Sequence, residues 1–199
     1  MLNDRSSALS LLETRRSGRP RDLVGPGPTP TEMQQILTIA ARTPDHGELC
    51  PWRFVTVASG QREALAALLS EALAAEQADA PEAKRDKAAQ FAHYAGQLVV
   101  LVSAPVADHK IPRSEQLLSV GAAGMNLLLA AHALGYAGGW VTGWYAYSDE
   151  VRAAFCDQGE HIAGFIFIGQ PSRELEERSR PPLSAVCRAW DPSRNRPSH

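Results

Sequence analysis

Apolar positions along the chain recur at two different periods, and their alternation lays out a mixed fold. From Ser6 to Arg16, the residues Ala8, Leu9, Leu11 and Leu12 cluster on one side of a helix that closes on two arginines, before Ser17 and Gly18. Arg19 to Pro30 is crowded with Pro and Gly and predicts a loop. Thr29 is then placed to cap a second helix, with Pro30 at its first position and Glu32 at its third; Met33, Ile36, Leu37 and Ala40 form its apolar face and Pro44 ends it. Trp52 to Ala58 alternates as a strand does. Arg62 to Glu76 is an Ala/Leu-rich helix, and Pro81 opens a charged one reaching about Tyr94. The unbroken apolar run Leu98–Val102 predicts a strand covered on both faces, followed by polar loop from Ala104 to Arg113.

Ser114 to Leu134 is the longest helical stretch, rich in Ala and Gly, with Gly135 placed to stop it in the left-handed conformation. Tyr136 to Trp144 is short, Gly-rich and aromatic. Ser148 starts one more helix, ending near Cys156. Ile162 to Ile168 is a second apolar strand, closed by Gly169-Gln170-Pro171, and Ser172 to His199 forms an Arg/Pro-rich extended arm. Helices outnumber strands and are interspersed with them, which predicts an α+β or three-layer α/β sandwich. No internal repeat or linker divides the chain, so residues 1–199 are expected to form one domain carrying 172–199 as its arm.

Composition narrows the function. With 44% hydrophobic and 21% charged residues among 199, the chain can bury a core, and a net charge of −2 gives no drive toward nucleic acid or membrane. Lys occurs only at Lys84, Lys87 and Lys110, so most cations are arginines, which suit planar phosphate contacts but also follow from a codon bias. Cys50, Cys156 and Cys187 are odd in number and widely spaced; with no CxxC pair they indicate neither a zinc site nor a disulfide framework, as in a reducing cytoplasm. The N-terminal stretch is polar, unlike a signal peptide. The Leu118–Leu134 stretch comes closest to a membrane span, but Asn126 and His132 interrupt it. His46, His93, His109, His132, His161 and His199 show no metal-ligand spacing.

Four stretches carry possible chemistry. Arg15-Arg16-Ser17 offers guanidinium and hydroxyl groups for a phosphate, or simply caps a helix; two neighbours on a helix diverge by about a hundred degrees, so both cannot easily grip one phosphate. In Pro44-Asp45-His46-Gly47-Glu48-Leu49-Cys50-Pro51-Trp52, Asp45 and His46 could touch a ligand, His46 could activate Cys50 as a nucleophile, or Asp45 could form a turn and Cys50 be a small buried residue. Gly138-Gly139-Trp140-Val141-Thr142-Gly143 follows a helix and so is no dinucleotide-binding turn; its glycines let a flat group or another backbone approach, or mark a strained turn. Arg178 and Arg180 share a side in an extended chain and could close over a phosphate, or belong to a basic tail.

In this order, R-R-S, A-R-T-P-D-H-G-E-L-C-P-W-R-F, G-Y-A-G-G-W-V-T-G after a long helix, a strand ending in G-Q-P and a late R-P-P-L make the chain, from about Leu9 to Leu183, resemble the nitroreductase superfamily in its short bacterial branch. The resemblance implies a three-layer α/β/α sandwich with a mostly antiparallel sheet. It also implies an intertwined homodimer with FMN at the interface. Arg15 and Ser17 would meet the FMN phosphate and ribityl chain, Arg16 the pyrimidine edge, and Trp140, Val141 and Thr142 the isoalloxazine. Arg178 and Arg180 would complete the phosphate grip, and His46 and Cys50 would face the flavin held mainly by the other subunit. The implied activity is a ping-pong transfer of hydride from NADH or NADPH, through the flavin, to a nitroaromatic, quinone or similar acceptor. His46 is the residue to test as proton donor or substrate contact. A non-catalytic flavin-sequestering protein is the alternative. The chain departs from the family at Cys50, where Gln is common, and at Asp45 and His46, which replace a Ser/Asn-rich loop.

Overall fold

A computed structural model describes residues 1–94 and 96–191; the last part of the expected arm, residues 192–199, lies outside them. Seven helices and five strands follow in the order α1 (Ala8–Thr14), β1 (Leu23–Val24), α2 (Pro30–Ala40), β2 (Trp52–Val57), α3 (Arg62–Glu76), α4 (Glu82–Ala92), β3 (Gln97–Ser103), α5 (Arg113–Ala133), β4 (Ala137–Val141), α6 (Asp149–Phe155), β5 (His161–Pro171) and α7 (Leu183–Val186).

The long strand β5 organises the sheet. β3 runs antiparallel along one edge and β4 antiparallel along the other, while β1 pairs with its last two residues and β2 adds outside β3. Every pairing is antiparallel. Strand alternation sorts the apolar runs into two cores. Leu98, Val100, Val102, Phe165 and Phe167 face α3, α4 and α6, whereas Val99, Leu101, Ile166 and Ile168 face α2 and α5. The result is an α/β/α sandwich, and it explains why β3 and β5 lack polar alternation: both faces are buried. Each fully buried Phe or Ile contributes roughly 1.5–3 kcal/mol through lost apolar hydration.

Local chemistry sets the ends of the elements. Thr29 and Glu32 form a reciprocal capping box, with Thr29 N–H donating to Glu32 Oε2 at 2.8 Å and Glu32 N–H to Thr29 Oγ1 at 3.3 Å. After α5, Gly135 takes φ +94°; its N–H reaches the His132 carbonyl at 2.9 Å and that of Tyr136 the Ala131 carbonyl at 3.0 Å, a Schellman closure that a side chain at this φ would strain. α5 is long and apolar enough to cross a bilayer by length and composition, yet Val120, Ala123, Leu127 and Ala131 are spent on the core.

Three expectations change. Leu23–Val24 is a strand inside the predicted loop; two residues are too short to show a period. The Gly-rich aromatic stretch contains β4, whose glycines hide its strand character. Most consequentially, α1 ends at Thr14, and Arg15 is extended at φ −57°, ψ 132°. The two arginines therefore follow the helix and do not diverge as helix neighbours.

Candidate active site

The segment after α1 is stretched between two anchors. Asn3 brackets the Arg16 peptide, accepting its N–H at 2.7 Å and donating to its carbonyl at 3.2 Å. Gly18 N–H donates to the Gly138 carbonyl on β4 at 3.0 Å. In an extended chain residues i and i+2 share a side, so Arg15 and Ser17 face together and Arg15 Nη2 donates to Ser17 Oγ at 3.1 Å. Gly139 permits this docking: a Cβ there would stand 2.3 Å from the Gly18 carbonyl oxygen.

The C-terminal arm returns to the same place. Ser172 donates from both N–H and Oγ to the Asp22 carbonyl, and Arg173 pairs with Asp22. Arg16 Nε donates to the Glu176 carbonyl at 2.7 Å, and Arg19 lies 3.5 Å from the Glu176 carboxylate. These ties leave Arg180 within electrostatic reach of Arg15. The Arg15 pKa is lowered by burial first, then by the charges of Arg180 and Arg16, with Glu177 opposing. Arg15 Nε is buried without a hydrogen-bond partner. Arg180 itself pairs with Glu177 at 3.4 Å, so one carboxylate offsets part of this positive charge while Arg15 Nε keeps a free donor. Arg178 adds its carbonyl, which accepts from Arg180, while its own side chain is exposed.

An open cleft of about 330 Å³ has walls that include Arg19, Pro20, Phe91, Val141, Thr142 and Tyr145. Phe91 and Tyr145 stack with ring centroids 4.2 Å apart. Trp140 does not face it. Its indole enters the α2/α5 core and donates from Nε1 to the Ala163 carbonyl at 3.1 Å. Two glycines make the slot: a Cβ on Gly124 would fall 2.4 Å from the ring and one on Gly164 2.0 Å from Nε1. Gly164 sits at φ +156°, where the β3–β5 register slips between Leu101 and Val102. The cleft therefore receives Val141 from the end of β4 and Thr142 from the residue after it.

The loop of Asp45, His46 and Cys50 is built separately. Asp45 is a turn former: its Oδ2 accepts the Cys50 N–H at 2.7 Å and its carbonyl the Glu48 N–H at 3.3 Å. Cys50 is exposed, not buried, at φ +48°. His46 turns away from Cys50, with Nδ1 2.7 Å from Glu115 Oε2. The loop hangs on α5 through Glu115, through Ser119 Oγ donating to the Pro44 carbonyl at 2.9 Å, and through Asn126 donating to the Arg42 carbonyl at 3.2 Å. No hydrogen bond among the described residues joins His46 or Cys50 to the Arg15 cluster. The sequence thus yields Arg15, Ser17 and Arg180 as one constellation and leaves His46 and Cys50 apart from it. It also hides the tethers Glu115, Ser119 and Asn126, whose spacing of four and then seven along an apolar helix is the signal that marks one polar stripe.

The profile of the Nitroreductase family matches residues 12–170. An Escherichia coli (strain K12) protein named "Putative NAD(P)H nitroreductase YdjA" is 36% identical over 165 residues, which cover 82% of this chain and 88% of its own length. Among solved structures, a nitroreductase-like family protein from Bacillus cereus superimposes with a TM-score of 0.78 at 19% identity, covering 94% of this chain and 98% of its own. A mutant of the FMN and NADPH-dependent nitroreductase NfnB from Sphigopyxis sp. strain HMH gives 0.72 at 19% identity, covering 93% and 99%. These structures share the sandwich, and the family profile spans both the Arg15–Ser17 segment and β4; the chain belongs to the nitroreductase family.

Proposed function

We propose that this chain is an FMN-dependent oxidoreductase that passes hydride from NADH or NADPH to nitroaromatic, quinone or similar electron-poor acceptors in a ping-pong cycle, and that it works as a homodimer. The observation that carries the proposal is the convergence of Arg15 and Arg180, from opposite ends of the chain, around a buried Arg15 Nε with no partner. Bringing guanidinium groups together costs energy unless an anion offsets it, and a phosphate monoester does so while accepting from Arg15, Ser17 and Arg180. FMN, when bound, supplies the hydride-accepting and hydride-donating ring.

The chain's own groups do the rest. Arg16 is anchored through Nε on the Glu176 carbonyl, and its remaining nitrogens would serve the pyrimidine edge of the flavin. Val141 and Thr142, with the Trp140 backbone, would hold the ring of the flavin, while Arg178, whose carbonyl accepts from Arg180, would back Arg180. The Glu115 carboxylate fixes His46 with Nδ1–H pointing at it, so Nε2 is the atom at which His46 holds or gives a proton. His46 and Cys50 would face the flavin of the partner subunit, a role that their separation from the Arg15 cluster within one chain supports. The free thiols fit a reducing cytoplasm.

Anaerobic titration of the purified protein with NADH and NADPH tests this. Yellow protein that bleaches supports it; yellow protein that neither nicotinamide bleaches is a flavin-sequestering protein, and colourless protein that fails to take up FMN sinks the proposal. Arg15→Ala is expected to weaken FMN binding by about 1.5–3 kcal/mol, the scale of a charged hydrogen bond, read by quenching of FMN fluorescence.

A further inference from the structure

His132 stands in α5 among Leu127, Leu128, Ala130 and Ala131, where an apolar side chain would serve packing equally well. Its ring is fully buried. Nε2 accepts the Gly138 N–H at 3.3 Å, and Nδ1 has no partner. Gly138 lies on β4, an edge strand. A residue's N–H and C=O point the same way from a strand; at Gly138 both point away from β5. The N–H goes to His132 and the carbonyl accepts from Gly18 at 3.0 Å. One path therefore runs from His132 through the two adjoining peptide groups of Gly138 to Gly18, the residue after Ser17.

We propose that His132 is a positioning residue for the anion-binding segment Arg15–Gly18, acting as the acceptor that fixes the backbone of Gly138, the residue on whose carbonyl this segment docks. The inference rests on the reading that this segment holds the flavin phosphate. Only a neutral ring can serve, because an imidazolium would set a second N–H against the Gly138 N–H. Burial first, and then the charge of Arg15, push the His132 pKa down to about 4, so the cation of the binding segment helps keep its own support neutral. Accepting at Nε2 puts the ring proton on Nδ1, where no protein acceptor among the described residues meets it, so the Gly138 N–H alone selects this tautomer.

Three variants decide the matter. His132→Gln carries an acceptor to the Nε2 position, His132→Met fills similar space without one, and His132→Asn is polar but ends at the Nδ1 position. Amide hydrogen exchange at Gly138 and Gly18 in flavin-free protein, and FMN affinity by fluorescence quenching, are measured on each. Met and Asn are expected to speed exchange at both glycines and to weaken FMN binding roughly tenfold, the scale of one buried hydrogen bond; Gln is expected to stay within about threefold of wild type on both readouts. Wild-type behaviour of Met, or a Gln variant as weak as Met, overturns the proposal, since either outcome leaves only packing. Should Met not fold, Gln against Asn gives the same decision. A wild-type chain that takes up no FMN overturns the flavin reading instead, and the exchange comparison still judges His132.

Discussion

A buried imidazole and a half-buried guanidinium share one neighbourhood, and burial first, then the Arg15 charge, disfavours a second cation at His132. The His132 pKa lies at about 4 in the folded chain and near 6.5 in an unfolded one. Between these values the unfolded state binds the extra proton, so stability rises with pH across this window and is lost as pH falls from 6.5 toward 4. For a fully buried ring the loss approaches roughly 3 kcal/mol. Urea denaturation at a series of pH values should show it, and His132→Gln should flatten the profile between pH 4 and 6.5 while leaving the carboxylate-driven fall below it. A wild-type profile no steeper than that of the variant would mean that His132 does not titrate with unfolding. In the sequence His132 is legible only as an interruption of an apolar run, because its partner is a main-chain amide with no side-chain signature.

At the scale of elements, local signals did well where the physics is local. The Thr29–Glu32 box, Pro30 at the first helical turn, Gly135 after α5 and the apolar runs of β3 and β5 all stand where the pattern predicts them. The elements that escaped are those whose partners are distant in sequence. β1 exists because Leu23 and Val24 meet Pro171 and Gln170, and the Gly164 bulge exists because an indole from β4 fills it. The bulge makes a sharp prediction. Gly164→Ala puts a methyl group 2.0 Å from Trp140 Nε1 at a φ of +156°. Overpacking of this kind costs about 1–3 kcal/mol, with backbone strain added. The variant should shift the urea midpoint accordingly and change tryptophan fluorescence; an unchanged midpoint means that β5 can flatten without loss.

Among the described residues, apolar side chains stand exposed in groups that include Leu9 and Leu12 on α1, Leu117 and Leu118 on α5, and Leu183, Val186 and Trp190 on the arm. A sandwich that buries Phe165 and Ile166 completely has the means to cover Trp190, which stands at 86% exposure. Together with the His46 loop hanging from the same helix as Leu117 and Leu118, this supports a second copy as the cover. Leu118→Glu removes one such contact without touching the core, since Leu118 is itself 74% exposed. Sedimentation should find wild type as a dimer and Leu118→Glu as a folded monomer that binds FMN weakly. A variant that remains dimeric places the contact elsewhere.

By itself the sequence determined what short-range physics encodes. It marked helices by their periodic faces and caps, the central strands by their unbroken apolar runs, and Arg15, Ser17 and Arg180 by their capacity for phosphate. Only the tertiary structure decided which of these groups meet. It ended α1 one residue before Arg15, so that Arg15 and Ser17 share a side, and it laid residues 172–180 back along residues 15–22. It also turned Trp140 into the core and His46 toward Glu115. The reason is that helix and strand propensities act over a few residues, whereas a site built from both ends of a chain depends on sheet register and on main-chain hydrogen bonds that carry no residue-specific mark.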